Sequence, residues 1–234
     1  MRLYEGHIGK IPGTALGAVI ALVSLLFPVG AFAQQGFFST KPGTVLKWEI
    51  HEGNGDLFGY CEETLLSMQG DTRDARIQYS YMFYDNAGNS VIGKDPFEFS
   101  VSIVSGEPRA NVTNISKAIK SGDYMAVGDL SSIPPDITVG STIPDSKIVV
   151  KLLNVFNNSN RYTRREVTGR EQVRVKAGTF DCYLVEDWEY FSGSGPFRVQ
   201  SWISRGVGLV RQVIYKKDGT VNQVFDLIEM KNNN

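Results

Sequence analysis

The sequence predicts a mainly β fold: a single curved antiparallel sheet or half-open β-barrel, capped by a short helix and loops. Three observations carry that reading. Turn-forming clusters punctuate the chain at Gly53 to Asp56, Asp85 to Asn89, Gly106 to Pro108, Asn157 to Asn160, Gly193 to Pro196 and Lys217 to Gly219. The runs between them are rich in β-branched and aromatic residues, which suit a pleated, half-buried surface. From Phe97 to Ile103, apolar Phe97, Phe99, Val101 and Ile103 alternate with Glu98, Ser100 and Ser102, the period of two of a strand with one wet face. A two-sheet β-sandwich is the rival, since it too would hide an apolar sheet face where little helix is on offer.

The elements follow in order. Arg2 and Lys10 precede an uncharged apolar run from Thr14 to Phe27; Pro28 and Gly30 break it, and Ala31-Phe32-Ala33 supplies a small-x-small cleavage site. That pattern is a secretory signal peptide over residues 1–33, and its apolar run falls short of the roughly 20 residues of a membrane span. Cleavage after Ala33 leaves residues 34–234 as a single β-rich domain, periplasmic or secreted. Strands are expected from Val45 to His51, Leu57 to Gln69, Arg73 to Asp85 and Phe97 to Ile103. Six more follow from Ile148 to Phe156, Arg161 to Lys176, Thr179 to Tyr190, Pro196 to Ser204, Val207 to Lys216 and Thr220 to Lys231. Asp218-Gly219 marks a tight hairpin, because Gly accepts the positive φ of the turn. Between the two groups of strands, Asn114 to Lys120 has the caps of a short helix. Gly128 to Pro144 carries Pro134-Pro135 and Pro144, so it reads as a loop lying over the sheet, and the whole 107–145 segment as the cap.

Charge excludes some functions. The 24 basic and 25 acidic residues nearly cancel, and the chain without its leader carries 22 and 24. An obligate nucleic-acid binder needs a basic excess to displace phosphate counterions. His51 is the one histidine beyond the leader, and no G-x-S-x-G elbow accompanies it, so it reads as a strand-end side chain beside Gly53. With Cys61 and Cys182 it makes no zinc set, and neither metal nor cofactor is expected. Those two cysteines fit a disulfide in an exported chain, and equally two buried small hydrophobes.

Five stretches fall in a recognisable order. Lys41-Pro42-Gly43-Thr44 leads into an aromatic-bearing strand, and Asp85-Asn86-Ala87-Gly88-Asn89 follows after a gap. Then come Val139-Gly140-Ser141-Thr142-Ile143-Pro144-Asp145-Ser146, the hairpin Val173 to Tyr183 around Ala177-Gly178-Thr179-Phe180, and Trp202 followed by Gly206-Val207-Gly208-Leu209-Val210-Arg211. Together they resemble the TapB-like exported proteins of Bacteroidetes-type bacteria over roughly residues 41–231. What the resemblance implies is a fold similar to the lipoprotein carriers of LolA, LolB and RseB type, rather than a chemistry. Read physically, the same motifs are turns and close strand approaches that serve the fold.

Few residues suggest chemistry. Glu62-Glu63 and Glu186-Asp187 are paired acids, but neighbours on a strand point to opposite faces and do not converge on one substrate. Glu186 to Tyr190 interleaves acids with Trp188 and Tyr190, the mark of one core face and one wet face. Arg161, Arg164, Arg165, Arg170 and Arg174 form a basic stripe balanced by Glu166 and Glu171, read as a solvated edge. Tyr79, Tyr81 and Phe83 share one strand face, with Tyr84 on the other. With Phe97 and Phe99 they would line a concave face holding an apolar ligand such as a lipid chain, or a partner surface. The function expected is thus a non-enzymatic exported binding module. The alternative is a structural or interaction protein of the cell envelope with a filled core, and an exported hydrolase comes third.

Overall fold

The structure, a computed structural model, describes residues 37–71, 74–91, 94–104, 107–111, 124–128, 133–134, 136–152, 156–191 and 194–232. Thirteen strands form among them. The first half holds β1 (Thr44–Glu52), β2 (Leu57–Gly70), β3 (Ala75–Asp85), β4 (Phe97–Val104), β5 (Glu107–Asn111) and β6 (Tyr124–Gly128). The second holds β7 (Thr142–Ile143), β8 (Ser146–Leu152), β9 (Phe156–Val175), β10 (Gly178–Phe191), β11 (Ser194–Ser204), β12 (Gly208–Tyr215) and β13 (Val221–Asn232). They make one sheet in the order β5-β4-β3-β2-β1-β13-β12-β11-β10-β9-β8-β6, with β7 against β9.

Every pairing is antiparallel, so the mainly β class stands and the sandwich does not: one continuous ladder replaces two sheets. The ladder stays open. Among the described residues no strand pair joins its ends, β5 and β6, although their backbones come within 8 Å. All ten expected strands form. The short β5, β6 and β7 were not expected; they fall inside the segment read as a cap, where β5 and β6 lengthen the sheet at its two edges instead. Pro108 hides β5 from a reading by propensity, yet an edge strand tolerates proline because one of its sides needs no donor. The helix expected over 114–120 lies outside the described residues. Part of the cap does cover the sheet, since Ile133 and Ile137 are buried in the core.

Curvature comes from bulges. Register shifts interrupt β13 opposite Lys47/Trp48, β2 at Leu65/Ser67, β9 opposite Leu184/Val185 and opposite Glu186/Trp188, and β12 opposite Trp202/Ile203. Each inserts an extra residue that bends its strand and raises the local twist. The curled inner face gathers Leu46, Trp48 and Ile50 of β1, Ile77 and Phe83 of β3, and Phe225 and Leu227 of β13 into one core. Trp48 locks the centre: its ring is buried and its Nε1 donates to the Leu209 carbonyl at 3.0 Å, reaching from β1 across β13 to β12. The 176–177 turn between β9 and β10 closes back on the sheet as Ala177 N–H donates to the Leu227 carbonyl at 3.2 Å. The expected hairpin at Asp218-Gly219 forms, with Gly219 at φ 84° and Lys216 N–H bonded to the Thr220 carbonyl at 2.8 Å.

Candidate functional site

Two polar islands interrupt the apolar inner face. The larger lies where β8, β9 and β10 meet, and a bulge builds it. Glu166 pairs Glu186 while Thr163 pairs Trp188, so Arg164 and Arg165 together oppose Asp187. Arg164 takes up the extra residue at φ 52°, and its N–H donates to Asp145 Oδ1 at 3.2 Å. That insertion changes the phase of the strand, so Tyr162, Arg165 and Val167 all turn inward and are buried. Arg165 is 2% exposed; its Nη1 donates to the Pro144 carbonyl at 3.1 Å, and its Nε lies 3.8 Å from Asp187 Oδ2.

On β10, Val185, Asp187 and Glu189 follow one another on the inner face, and Glu189 is 0% exposed. Among the described residues, no donor at hydrogen-bonding geometry meets Asp187 Oδ1, either oxygen of Glu189, or Gln212 Oε1 two strands away. Burial pushes the Asp187 carboxyl up to about 6, against the pull of Arg165. Burial also drives Glu189 well above the carboxylate range; the Asp187 charge adds to this, and the nearby Tyr162 hydroxyl opposes it. Burial therefore favours the neutral form of the Glu189 carboxyl, beside the Arg165–Asp187 pair.

The smaller island lies on β2 and β3. Glu63 faces Tyr81 in register and accepts a hydrogen bond from its hydroxyl. Burial pushes Glu63 up to about 7, although the Tyr81 hydrogen bond pulls the other way. Glu63 nevertheless keeps partial exposure, while Cys61 and Leu65 on either side of it are buried. Tyr79, Tyr81 and Phe83 do share the inner face, at 5%, 2% and 3% exposure, and the Tyr81 and Phe83 rings stack at 6.4 Å. Phe97 and Phe99 stand on β4 with their backbones in register with Tyr81 and Tyr79.

Residues 41–227 match the DUF3108-like family. The chain belongs to it. The match is to this family, and the narrower TapB-like name that the motifs suggested is not shown. Two solved structures share the DUF3108-like chain's fold. One is an exported protein with YmcC-like fold from Bacteroides fragilis, 16% identical, with a TM-score of 0.67, covering 85% of this chain and 100% of its own. The other is a lipoprotein from Parabacteroides distasonis, 16% identical, with a TM-score of 0.65, covering 86% of this chain and 100% of its own. No curated protein matches the chain.

The motifs of this DUF3108-like chain fold as turns. Thr44 N–H donates to the Lys41 carbonyl at 3.1 Å, and Asp85 Oδ1 accepts from Ala87 and Asn89 N–H at 3.0 and 2.7 Å. The Val139 to Ser146 stretch does more. Gly140 N–H and the Ser141 carbonyl bond Val167 at 2.7 and 2.9 Å, which seats Pro144 over Arg165 and Asp145 against the Arg164 bulge.

His51 is a strand-end residue, 3.1 Å from the Gly55 carbonyl through Nδ1 and 3.3 Å from Glu49 through Nε2. Cys61 and Cys182 are free, buried thiols, so the disulfide alternative is not formed. Two expectations need correction. Arg165 does not belong to the solvated basic stripe, because the bulge turns it inward, whereas Arg161, Arg164, Arg170 and Arg174 are exposed. The interleaved 186–190 segment also has its faces exchanged: Asp187 and Glu189 are in the core, and Tyr190 is outside under Arg161, 4.4 Å from its ring. The neighbouring acids were expected not to converge, and the two buried acids of β10, Asp187 and Glu189, are not sequence neighbours. They are two apart, and the available signal was the shared parity of Val185, Asp187 and Glu189 in a strand.

Proposed function

We propose that this chain is an exported binding module that acts without catalysis and holds an apolar ligand, such as a lipid chain, on the concave face of its sheet. The contact residues would be Tyr79, Tyr81 and Phe83, with Phe97 and Phe99 beside them on β4. One observation carries the reading. Glu63 keeps partial exposure between buried Cys61 and Leu65, next to the aromatic wall whose Tyr81 hydroxyl it accepts from. Export is supported by the leader pattern over residues 1–33 and by the descriptions of the two structural neighbours as exported protein and lipoprotein. Among the described residues no strand pairing closes the sheet between β5 and β6, which is compatible with a ligand entering there.

Native mass spectrometry of the purified chain, paired with organic extraction, tests this. A lipid adduct that extraction removes supports the carrier reading. A bare mass, with no uptake of added fatty acid, overturns it. The second reading is an interaction protein of the cell envelope with a filled core. It is favoured by the near-complete burial of Tyr79, Tyr81 and Phe83, and a bare mass with an unchanged fold is its expected result.

A further inference from the structure

We propose that Glu63 makes ligand binding on the aromatic wall depend on pH: protonated, it belongs to the surface that takes the apolar ligand, and ionised, it turns that ligand away. The proposal rests on the carrier reading above and adds a regulation to it. It starts from where the carboxyl stands. Glu63 sits between buried Cys61 and Leu65 on β2, in register with Tyr81 on β3, whose hydroxyl donates to its Oε2. Tyr79, Tyr81 and Phe83 lie along the same face, and the Tyr81 and Phe83 rings stack. Glu63 is the one acid among these six residues, and the one that keeps partial exposure.

The groups around it do not balance a charge. From β1, apolar Leu46 pairs Glu63 in register; from β3 come the Tyr79 and Tyr81 hydroxyls, and from β2 the Cys61 thiol. Burial pushes that thiol and both hydroxyls well up, so all three keep their protons near neutral pH. Among the described residues no basic side chain forms an ion pair with Glu63. Neighbouring Glu62 lies on the other face of β2, in register with Lys47. Glu63 is thus the group of this wall that changes charge near pH 7, the value to which burial pushes it against the pull of the Tyr81 hydrogen bond. An apolar chain laid over the wall would strip the remaining water from the carboxyl. The neutral acid tolerates this, whereas a carboxylate with one hydrogen bond and no cation does not. Binding therefore raises the Glu63 carboxyl further. Below pH 7 the free and liganded chains both hold the proton and affinity is constant. Above pH 7 the liganded chain must take a proton from solvent, so affinity falls as pH climbs.

Calorimetric titration of the purified chain with 1-decanol, an alcohol without charge at either pH, at pH 5.5 and pH 8.5 tests this. A further rise of about one pH unit on binding makes the affinity roughly tenfold weaker at pH 8.5. Glu63→Gln should bind at both pH values as the parent does at pH 5.5; Glu63→Met serves the same purpose if the glutamine variant does not fold. Tyr81→Phe removes the hydrogen bond that favours the carboxylate, so the midpoint of the fall should move to higher pH. Equal parent affinity at the two pH values leaves the carrier reading standing and overturns the switch. A Glu63 variant that keeps the parent's pH dependence also overturns it, since the dependence then comes from other raised acids such as Asp187 and Glu189 on β10. A midpoint that moves to lower pH in Tyr81→Phe does so too. Absence of decanol binding at both pH values is the separate result that overturns the carrier reading and, with it, the switch.

Discussion

Replacing Glu63 by Gln should stabilise the chain at alkaline pH and do little in acid. The folded chain holds the Glu63 proton up to about pH 7, against an ordinary value of 4.5. An acid raised in this way binds more protons folded than unfolded, so stability is greatest below the ordinary value, falls as pH climbs through the interval, and levels off above pH 7. The full interval is worth about 3 kcal/mol, and the partial exposure of Glu63 trims this to about 1–2 kcal/mol. Glutamine keeps an acceptor for the Tyr81 hydroxyl and carries no charge to desolvate. Urea denaturation of both chains at pH 4 and pH 8 is the assay. Other buried acids cancel in the difference between parent and variant. The variant should gain about 1–2 kcal/mol at pH 8 relative to its position at pH 4, or roughly 2–8 °C in Tm for a chain of this size. An equal difference at the two pH values, or a parent that gains on the variant as pH rises, would refute a desolvated Glu63.

Arg165→Met should be far more damaging, because it leaves Asp187 buried without its cation; a loss of about 3–5 kcal/mol in urea denaturation is expected at pH 8. The loss should shrink below pH 6, where Asp187 is neutral in the folded chain, and a loss that does not change with pH would point to packing instead. Thiol chemistry is predicted to be silent in the native state, since burial drives Cys61 well up and lifts Cys182 to about 12. Ellman's reagent should find no reactive thiol until the chain unfolds, and then both cysteines; a count of zero after unfolding would reveal a disulfide.

The legible and illegible parts of the fold separate along physical lines. Period-two alternation and β-branched runs mark every strand whose inner side is apolar, so β1 to β4 and β8 to β13 are readable one residue at a time. The strands β5 and β6 sit at the edges, where one side of the ladder is unpaired and the local pattern carries less constraint. The aromatic face at Tyr79, Tyr81 and Phe83 is readable because β3 runs unbroken against β4. The polar cluster is not, because it depends on an inserted residue. Counted by strict alternation from Tyr162, Arg164 and Glu166 would face inward and Arg165 outward. The bulge at Arg164 reverses that, and no propensity scale registers a bulge fixed by the carboxylate of Asp145, 19 residues earlier in the chain.

The bulge also ties the shared motif to the site. Gly140 and Ser141 hold the Val139 to Ser146 stretch on β9, Asp145 receives the Arg164 N–H, and Pro144 receives Arg165. A turn that only served the fold would need the first of these contacts; the other two set where a buried guanidinium points. Its position decides the state of both acids, since Arg165 restrains the rise of Asp187, and the charge that Asp187 keeps raises Glu189. A motif that looks purely structural in sequence is thereby coupled to the one fully buried carboxyl group of the cluster. Disturbing the turn by Asp145→Ala should therefore disturb the proton on Glu189 before it disturbs the sheet, whose ladder on either side of β9 does not depend on that contact.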